Sequence, residues 1–289
     1  MLLGKGVAWF LSFVLSLVCL GLSIWLLADV VGGDVLHYEL GGWRPPWGIE
    51  YQIDALNALI AVIVTAMASI AMLFAPKSVE KEISEHVVPL FYATFQLCLL
   101  GLLGIALTGD IFNLFVFLEI SSLSSYALIA MGKHRKALTA AFYYLVLGTM
   151  GATFFLIGVG MLYAASGSLN MADILERFSA YEDLHLVTTS LAFILVGVAL
   201  KAAIFPLHSW LPSSYSQAPS VVSVFLAASA TKVAIYVLIR CLFNVYPMAY
   251  WMEIVLPDLL VGLGCVGILY GSFRAFGQLD MKRLLAYSS

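Results

Sequence analysis

KAAIFPLHSWLPSSYSQ, residues 201–217, places a lysine, a histidine at 208 and prolines at 206 and 212 inside an otherwise apolar chain. Proline removes a backbone donor and interrupts a helix. Whether such a break is a surface loop or something rarer depends on its surroundings, which are 62% hydrophobic and only 11% charged over 289 residues, with mean hydropathy +1.00. A soluble domain has too little interior to hide that much apolar surface, whereas helices in lipid can be apolar all round. The fold class is therefore an all-α polytopic membrane protein. A broken helix at membrane depth is tolerated only where its freed backbone groups face protein or water, which is also where transport sites are built.

Eight stretches reach the roughly 20 apolar residues that a spanning helix needs: about 7–28, 53–75, 88–108, 111–131, 138–164, 187–205, 219–241 and 253–273. The first is too long for a signal-peptide core and no small-residue cleavage site follows cleanly, so it reads as retained. With the amino terminus inside, Lys5, Lys77, Lys81, Lys133, Arg135, Lys136, Arg274, Lys282 and Arg283 fall on the cytoplasmic side, and only Arg44, Arg177 and Arg240 fall outside. That bias follows the positive-inside rule and places both termini in the cytoplasm. The outer stretch Asp29 to Gln52, with GGWRPPWG at 41–48, reads as a turn-rich aromatic loop at the membrane interface. Residues Asn170 to Asp183 space Met171, Ile174, Leu175, Phe178 and Tyr181 as a short amphipathic helix on the membrane surface. Gly267 and Gly271 form a GxxxG, a sign of close packing.

The net charge of −3 leaves no basic footprint for nucleic acid. Cys19, Cys98, Cys241 and Cys265 lie singly in apolar runs, without metal or cluster spacing, and read as packing thiols. No nucleotide, metal or redox-cofactor motif is present, so no cofactor is expected.

Charge inside the spans is the remaining signal. Glu119, in FNLFVFLEISSLSSYALI, and Lys232 sit near the centres of their spans, and Lys201 becomes central once its span is counted through the proline break. A central ionisable group costs roughly 2.5–3.5 kcal/mol on insertion scales, so it needs a reason. Plainer readings exist: a protonated Glu119 bonded to a neighbouring helix, a Lys201 snorkelling to the surface, a His208 bracing the break. The sharper reading pairs one acid with bases on other helices. At about 4 Å and an effective dielectric near 20, a Glu119–Lys201 contact is worth on the order of 4 kcal/mol and holds the lysine charged. Separation, or a second charge at Lys232, withdraws that support and the proton moves on through hydroxyls and water.

Several linked stretches resemble the antiporter-like membrane subunits shared by Mrp-type cation/proton antiporters, energy-converting hydrogenases and respiratory complex I. They are GGWRPPWGI (41–49), TGDIFNLFVFLEISSLSSYALI (108–129), GSLNMADIL (167–175), LKAAIFPLHSWLPSSYSQAPSVVSVFLAASATKVAIYVLIR (200–240) and LDMKRLLAYSS (279–289). The first and third look most like the D-type membrane protein of the Mrp antiporters. The resemblance implies Glu119 and Lys201 as the buried pair, Lys232 as the next relay lysine and His208 as part of the broken-helix motif. It implies inverted five-helix repeats, with residues 1–87 as leading helices and outer loop, 88–241 as the first repeat and 242–289 as the start of a truncated second. Members usually carry one more helix before this start and several after it, so an amino-terminal fragment is expected. The implied function is proton translocation in a multisubunit Na+/H+ antiporter of a bacterial or archaeal plasma membrane, with other membrane subunits, lipid, protons and sodium as partners. The rivals are a redox-driven NADH:quinone oxidoreductase or membrane hydrogenase, and a non-conducting scaffold.

Overall fold

The computed structural model describes residues 4–181 and 183–289. Among them, eight helical segments are long and apolar enough to cross a membrane, matching the number expected. The first five crossings are α1 (Lys5–Val30), α2 (Ala55–Glu82), α3 (Val88–Leu107), α4 (Ile111–Ala130) and α5 (Arg135–Ser166). A short α6 (Met171–Glu176) precedes α7 (Leu184–Lys201), and after the proline break α8 (Trp210–Gln217) ends the sixth crossing. The seventh is made of α9 (Ser220–Ala228) and α10 (Ala230–Asn244), followed by α11 (Met248–Glu253), the crossing α12 (Leu256–Phe276) and α13 (Met281–Ser288).

Burial in this fold inverts the soluble pattern. Along α1 the buried residues are Ala8, Ser12, Ser16, Ser23 and Val30, whereas Phe10, Leu11, Leu15, Val18 and Leu22 are exposed, as a lipid-facing helix requires. Its contacts to the bundle include hydrogen bonds: the Trp9 indole donates to the Met72 carbonyl at 2.9 Å, and the Gln96 amide donates to the Ser12 carbonyl at 2.8 Å. Small residues let the central helices approach. A Cβ on Gly197 of α7 would lie 2.6 Å from the Gly151 carbonyl oxygen of α5, and one on Gly101 of α3 would lie 2.6 Å from the Ser121 nitrogen of α4. The GxxxG of α12 packs likewise, with Gly267 against Phe205 and Gly271 against the Tyr287 carbonyl of α13.

The two ends of the bundle differ in chemistry. At the lysine-rich end Lys5 pairs with Glu85 at 2.8 Å, the Lys133 ammonium donates to the Lys81 carbonyl at 2.8 Å, and the Glu82 carboxylate accepts the Ser220 backbone N–H at 2.7 Å. At the opposite end, the stretch read as a turn-rich loop contains a two-stranded antiparallel hairpin. Strands β1 (Leu36–Glu39) and β2 (Glu50–Ile53) pair Leu36 with Ile53 and Glu39 with Glu50. Glu50 is buried and ties the hairpin down: its carboxylate accepts the Asn170 amide at 2.6 Å and faces His37 Nδ1 at 3.0 Å. Asp54 then caps α2, accepting the backbone N–H groups of Leu56 and Asn57, and pairs with Arg240 at 2.6 Å. Burial alone would raise the Asp54 carboxyl, but the Arg240 guanidinium and the two backbone donors outweigh it and hold it below the ordinary carboxylate range.

Three further readings need correction. The seventh crossing, Ser220–Asn244, is one span as expected but is distorted at Ser229, whose dihedrals (φ −117°, ψ −57°) depart from the ideal helix and divide α9 from α10. The residue 170–183 segment is six residues of α-helix followed by a 3-10 turn to Ala180, and Met171 and Ile174 are buried against the bundle core instead of facing lipid. The helix carrying Lys201 stops at that residue, whereas the apolar pattern suggested a run to Phe205.

Packing at the α5–α7 crossing gives a first prediction. Gly197→Ala overfills the contact with Gly151 and Phe155 and should cost about 1–3 kcal/mol, lowering the thermal midpoint of the detergent-solubilised protein. Gly160→Ala, with nothing within 4 Å of its added carbon, should leave the midpoint unchanged; equal loss in both would contradict the packing account.

Candidate functional site

The break after α7 is what brings a helix terminus to membrane depth. Ala202 and Ile204 close the last turn onto the Val198 and Ala199 carbonyls at 2.8 and 2.9 Å, and Ala203 takes a left-handed conformation with φ 55°. The Leu200 carbonyl, which loses its regular helical donor and takes the Ala203 N–H at 3.3 Å, also accepts the Trp210 indole N–H at 2.9 Å, so α8 reinforces the break. Lys201, the last residue of α7, is thus presented from a helix C-terminus, whose partial negative charge favours a cation.

From there the Lys201 ammonium reaches α4. It lies 3.3 Å from Glu119 Oε1 and donates to the Ser122 hydroxyl, one helical turn beyond the acid on the same face. The lysine side chain is 7% exposed and the glutamate 24%, so the pair is desolvated unevenly. At that separation and an effective dielectric near 20, the attraction is about 5 kcal/mol, enough to offset much of the cost of the buried charge. The acid–base pairing expected from the two stretches of sequence is therefore present in the geometry.

The other two candidates stand elsewhere. Lys232 is midway along the seventh crossing, as expected, but lies on an exposed face of α10 beside Leu56, Ile60 and Ile235, away from the Glu119–Lys201 contact. Its ammonium donates to the Ala227 carbonyl at 2.8 Å, a group left near the Ser229 interruption. His208 packs between Phe205 and Tyr270, with ring centroids 5.6 and 4.9 Å away, and its Nδ1 is buried without a partner among the described residues. It borders a cleft of 570 Å³ also lined by Thr231, Gly267 and Tyr287. Thr231 and Ala202 line both this cleft and the hollow beside Lys232. The four residues thus form an acid–base pair with a buried lysine and a partly exposed glutamate, and two separate cationic or basic groups on adjoining open faces.

Residues that sequence reasoning missed are Ser122, the second partner of Lys201, and Trp210, which satisfies the break. The spacing of Ser122 from Glu119 was the available signal for the first. Among the described residues no group of three His, Cys, Asp or Glu side chains is placed to hold a metal ion.

Comparison with known proteins identifies the family. Residues 108–289 match the family described as NADH:quinone oxidoreductase/Mrp antiporter, TM. The N-type membrane protein of the NADH-quinone oxidoreductase of Desulforudis audaxviator is 44% identical over 267 residues, 92% of this chain and 53% of that protein. The D-type membrane protein of the Na(+)/H(+) antiporter of Alkalihalophilus pseudofirmus is 31% identical over 269 residues, 92% of this chain and 52% of the relative. Among solved structures, a chain of the membrane-bound sulfane sulfur reductase, an archaeal respiratory membrane complex, superposes with TM-score 0.87 at 33% identity, covering 96% of this chain and 56% of its own. The chain spans about half the length of the curated relatives it matches.

The uneven burial predicts an asymmetric response to removing either partner. Glu119→Leu leaves the more buried lysine without its acid and should destabilise the folded protein by about 3–5 kcal/mol, whereas Lys201→Met strands only the more exposed glutamate and should cost less. Thermal unfolding in detergent checks this; Lys201→Met as damaging as Glu119→Leu would contradict it.

Proposed function

Because the chain belongs to the NADH:quinone oxidoreductase/Mrp antiporter transmembrane family, we propose that it translocates protons as one membrane component of a multisubunit Na+/H+ antiporter of the Mrp type. The observation that carries the proposal is the 3.3 Å contact between Glu119 and Lys201, at the end of a helix broken within the membrane. An ammonium held by one carboxylate and one hydroxyl is a proton store whose affinity depends on a single movable neighbour. When Glu119 is close the proton stays on Lys201. When Glu119 withdraws, the amine loses its main electrostatic support and gives the proton up.

In this reading residues 88–241 form the first five-helix repeat. Lys232 takes the next position in the relay and His208 serves the break. The open faces that carry them give protons a lateral direction away from the closed pair. The lysine-rich end lies in the cytoplasm of a bacterial or archaeal cell and the hairpin end outside it, as the excess of basic residues at one end supports. The partners are other membrane subunits of the assembly, the lipid bilayer, protons and sodium.

A second reading places the same relay in a redox-driven NADH:quinone oxidoreductase or related respiratory complex. It is favoured by the 44% identity to a relative named as part of an NADH-quinone oxidoreductase. Sodium-dependent proton flux in the absence of a redox substrate separates the two readings.

The relay itself is tested by reconstituting the complete complex in vesicles with Glu119→Ala, Lys201→Ala or Lys232→Ala. Each should lower proton flux by about 10²-fold or more, the usual weight of a positioned acid or base. Undiminished flux in all three would leave only a structural scaffold.

A further inference from the structure

Helix α1 begins without a cap. Gly4 supplies no side-chain acceptor, no acidic residue lies in the first turn, and the first helical bond runs from the Ala8 N–H to the Gly4 carbonyl at 3.0 Å. The backbone N–H groups of Lys5, Gly6 and Val7 are therefore left to whatever lies beyond the helix end. Gly4 and Gly6 stand in open space, with nothing within 4 Å of an added Cβ, so an anion can approach this end beside the Lys5 ammonium.

Next to it, at the lysine-rich end, α1, α2 and α3 enclose a cavity of 280 Å³. Its floor is apolar, with Val79, Ile83 and Val88 buried, and Trp9 forms one wall. Pro76 of α2 accounts for that wall. Proline has no N–H to give the Met72 carbonyl four residues back, and the Trp9 indole N–H donates there instead, at 2.9 Å. Stacking on Phe13, with ring centroids 5.9 Å apart, steadies the indole further. The rim is charged: Lys5 comes from α1, Glu80 from α2, and Glu85 from the turn before α3. Lys5 and Glu85 pair at 2.8 Å but are 52% and 88% exposed, and a pair so exposed holds its members weakly.

Tyr92 supplies the independent sign. It is 3% exposed, it lines this cavity, and its hydroxyl has no hydrogen-bond partner among the described residues. A buried tyrosine ordinarily finds a partner for its hydroxyl. Tyr92 lies one turn into α3 and Trp9 one turn into α1, the depth at which amphipathic rings meet the head-group level of a bilayer.

We propose that this notch binds one phospholipid of the leaflet at the lysine-rich end, with a head group carrying both a phosphate and a primary ammonium, as in phosphatidylethanolamine. The phosphate meets the free N–H groups of α1 and the Lys5 ammonium. The head-group ammonium donates to Glu85 and Glu80, the Tyr92 hydroxyl donates to an ester carbonyl, and an acyl chain follows Trp9 along the lipid-facing side of α1. Charge complementarity selects this occupant. Phosphatidylglycerol answers Lys5 but meets two carboxylates with no cation to offer, and the quaternary choline head group has no N–H to donate to them. Free phosphate leaves the apolar floor and Tyr92 unanswered. The notch shares no lining residue with the cavities at Lys201, so the proposal stands independently of the relay.

The test places the purified complete complex in nanodiscs holding equal amounts of phosphatidylethanolamine, phosphatidylcholine and phosphatidylglycerol. Mass spectrometry then reads the lipid still bound after detergent extraction. Phosphatidylethanolamine should be retained about tenfold over the other two, the weight of a charge-assisted hydrogen bond. That preference should vanish in Lys5→Ala and in Gly6→Leu, which fills the space at the helix end, and should weaken in Tyr92→Phe. Equal retention of the three lipids marks an unselective coat and overturns the proposal. So does a preference untouched by Lys5→Ala and Gly6→Leu, which puts the lipid elsewhere, and so does displacement of the lipid by inorganic phosphate alone. A neighbouring protein in the notch shows as Gly6→Cys shielded from a water-soluble maleimide with no lipid retained, and that result also refutes the proposal. Should Gly6→Leu fail to assemble, Lys5→Ala, at a half-exposed residue, decides.

Discussion

An ammonium in the middle of a bilayer must be answered by something, and the arrangement around Lys201 is that answer. The break at Ala202–Ser209 ends α7 there, so a helix C-terminus and its carbonyls point at the charge. Glu119 and Ser122, one turn apart on α4, supply the acid and the hydroxyl. Glycines at the α3–α4 and α5–α7 crossings let the helices come close enough for these groups to meet. Trp210 closes the loop by donating its indole N–H to the Leu200 carbonyl beside the break. Each feature would be costly alone in lipid, and together they leave one charged pair.

The site divides into a closed and an open part. Lys201 is enclosed by the bundle against a partly exposed Glu119, while His208 and Lys232 border adjoining hollows that share Ala202 and Thr231 as walls. The backbone between the two parts is short: Ala202 follows Lys201 directly, and Thr231 precedes Lys232 and follows the Ser229 interruption by one turn or less. Both hollows therefore stand where helices are locally broken, which is tolerated at membrane depth where the backbone is buried in protein or lines a cavity.

Much of this was legible in the sequence because lipid makes hydropathy and rare charges strong signals. The eight crossings and the break at the prolines followed from apolar run length and from ionisable residues placed where they are costly, whereas the Glu119–Lys201 pairing was implied by the resemblance to the antiporter-like subunits. What escaped depended on tertiary partners. The β1–β2 hairpin in the Asp29–Gln52 stretch is anchored by Glu50 to Asn170, a residue far along the chain, so local turn residues gave no hint of pairing. The interruption at Ser229 carries no proline or glycine. Amphipathic spacing in 170–183 could not say whether Met171 and Ile174 would face lipid or the bundle, since both environments accept them. Helical depth along α10 was readable for Lys232, but the direction in which its side chain points was not.

The central claim is that Lys201 acts by gaining and losing a proton rather than by contributing a fixed charge. Replacing it with arginine separates these roles, because arginine keeps the charge and stays protonated throughout the accessible pH range. The most direct measurement is therefore proton flux against pH for Lys201→Arg in the reconstituted complete complex. The account predicts flux close to background at every pH; flux and pH dependence equal to the unsubstituted protein would contradict it.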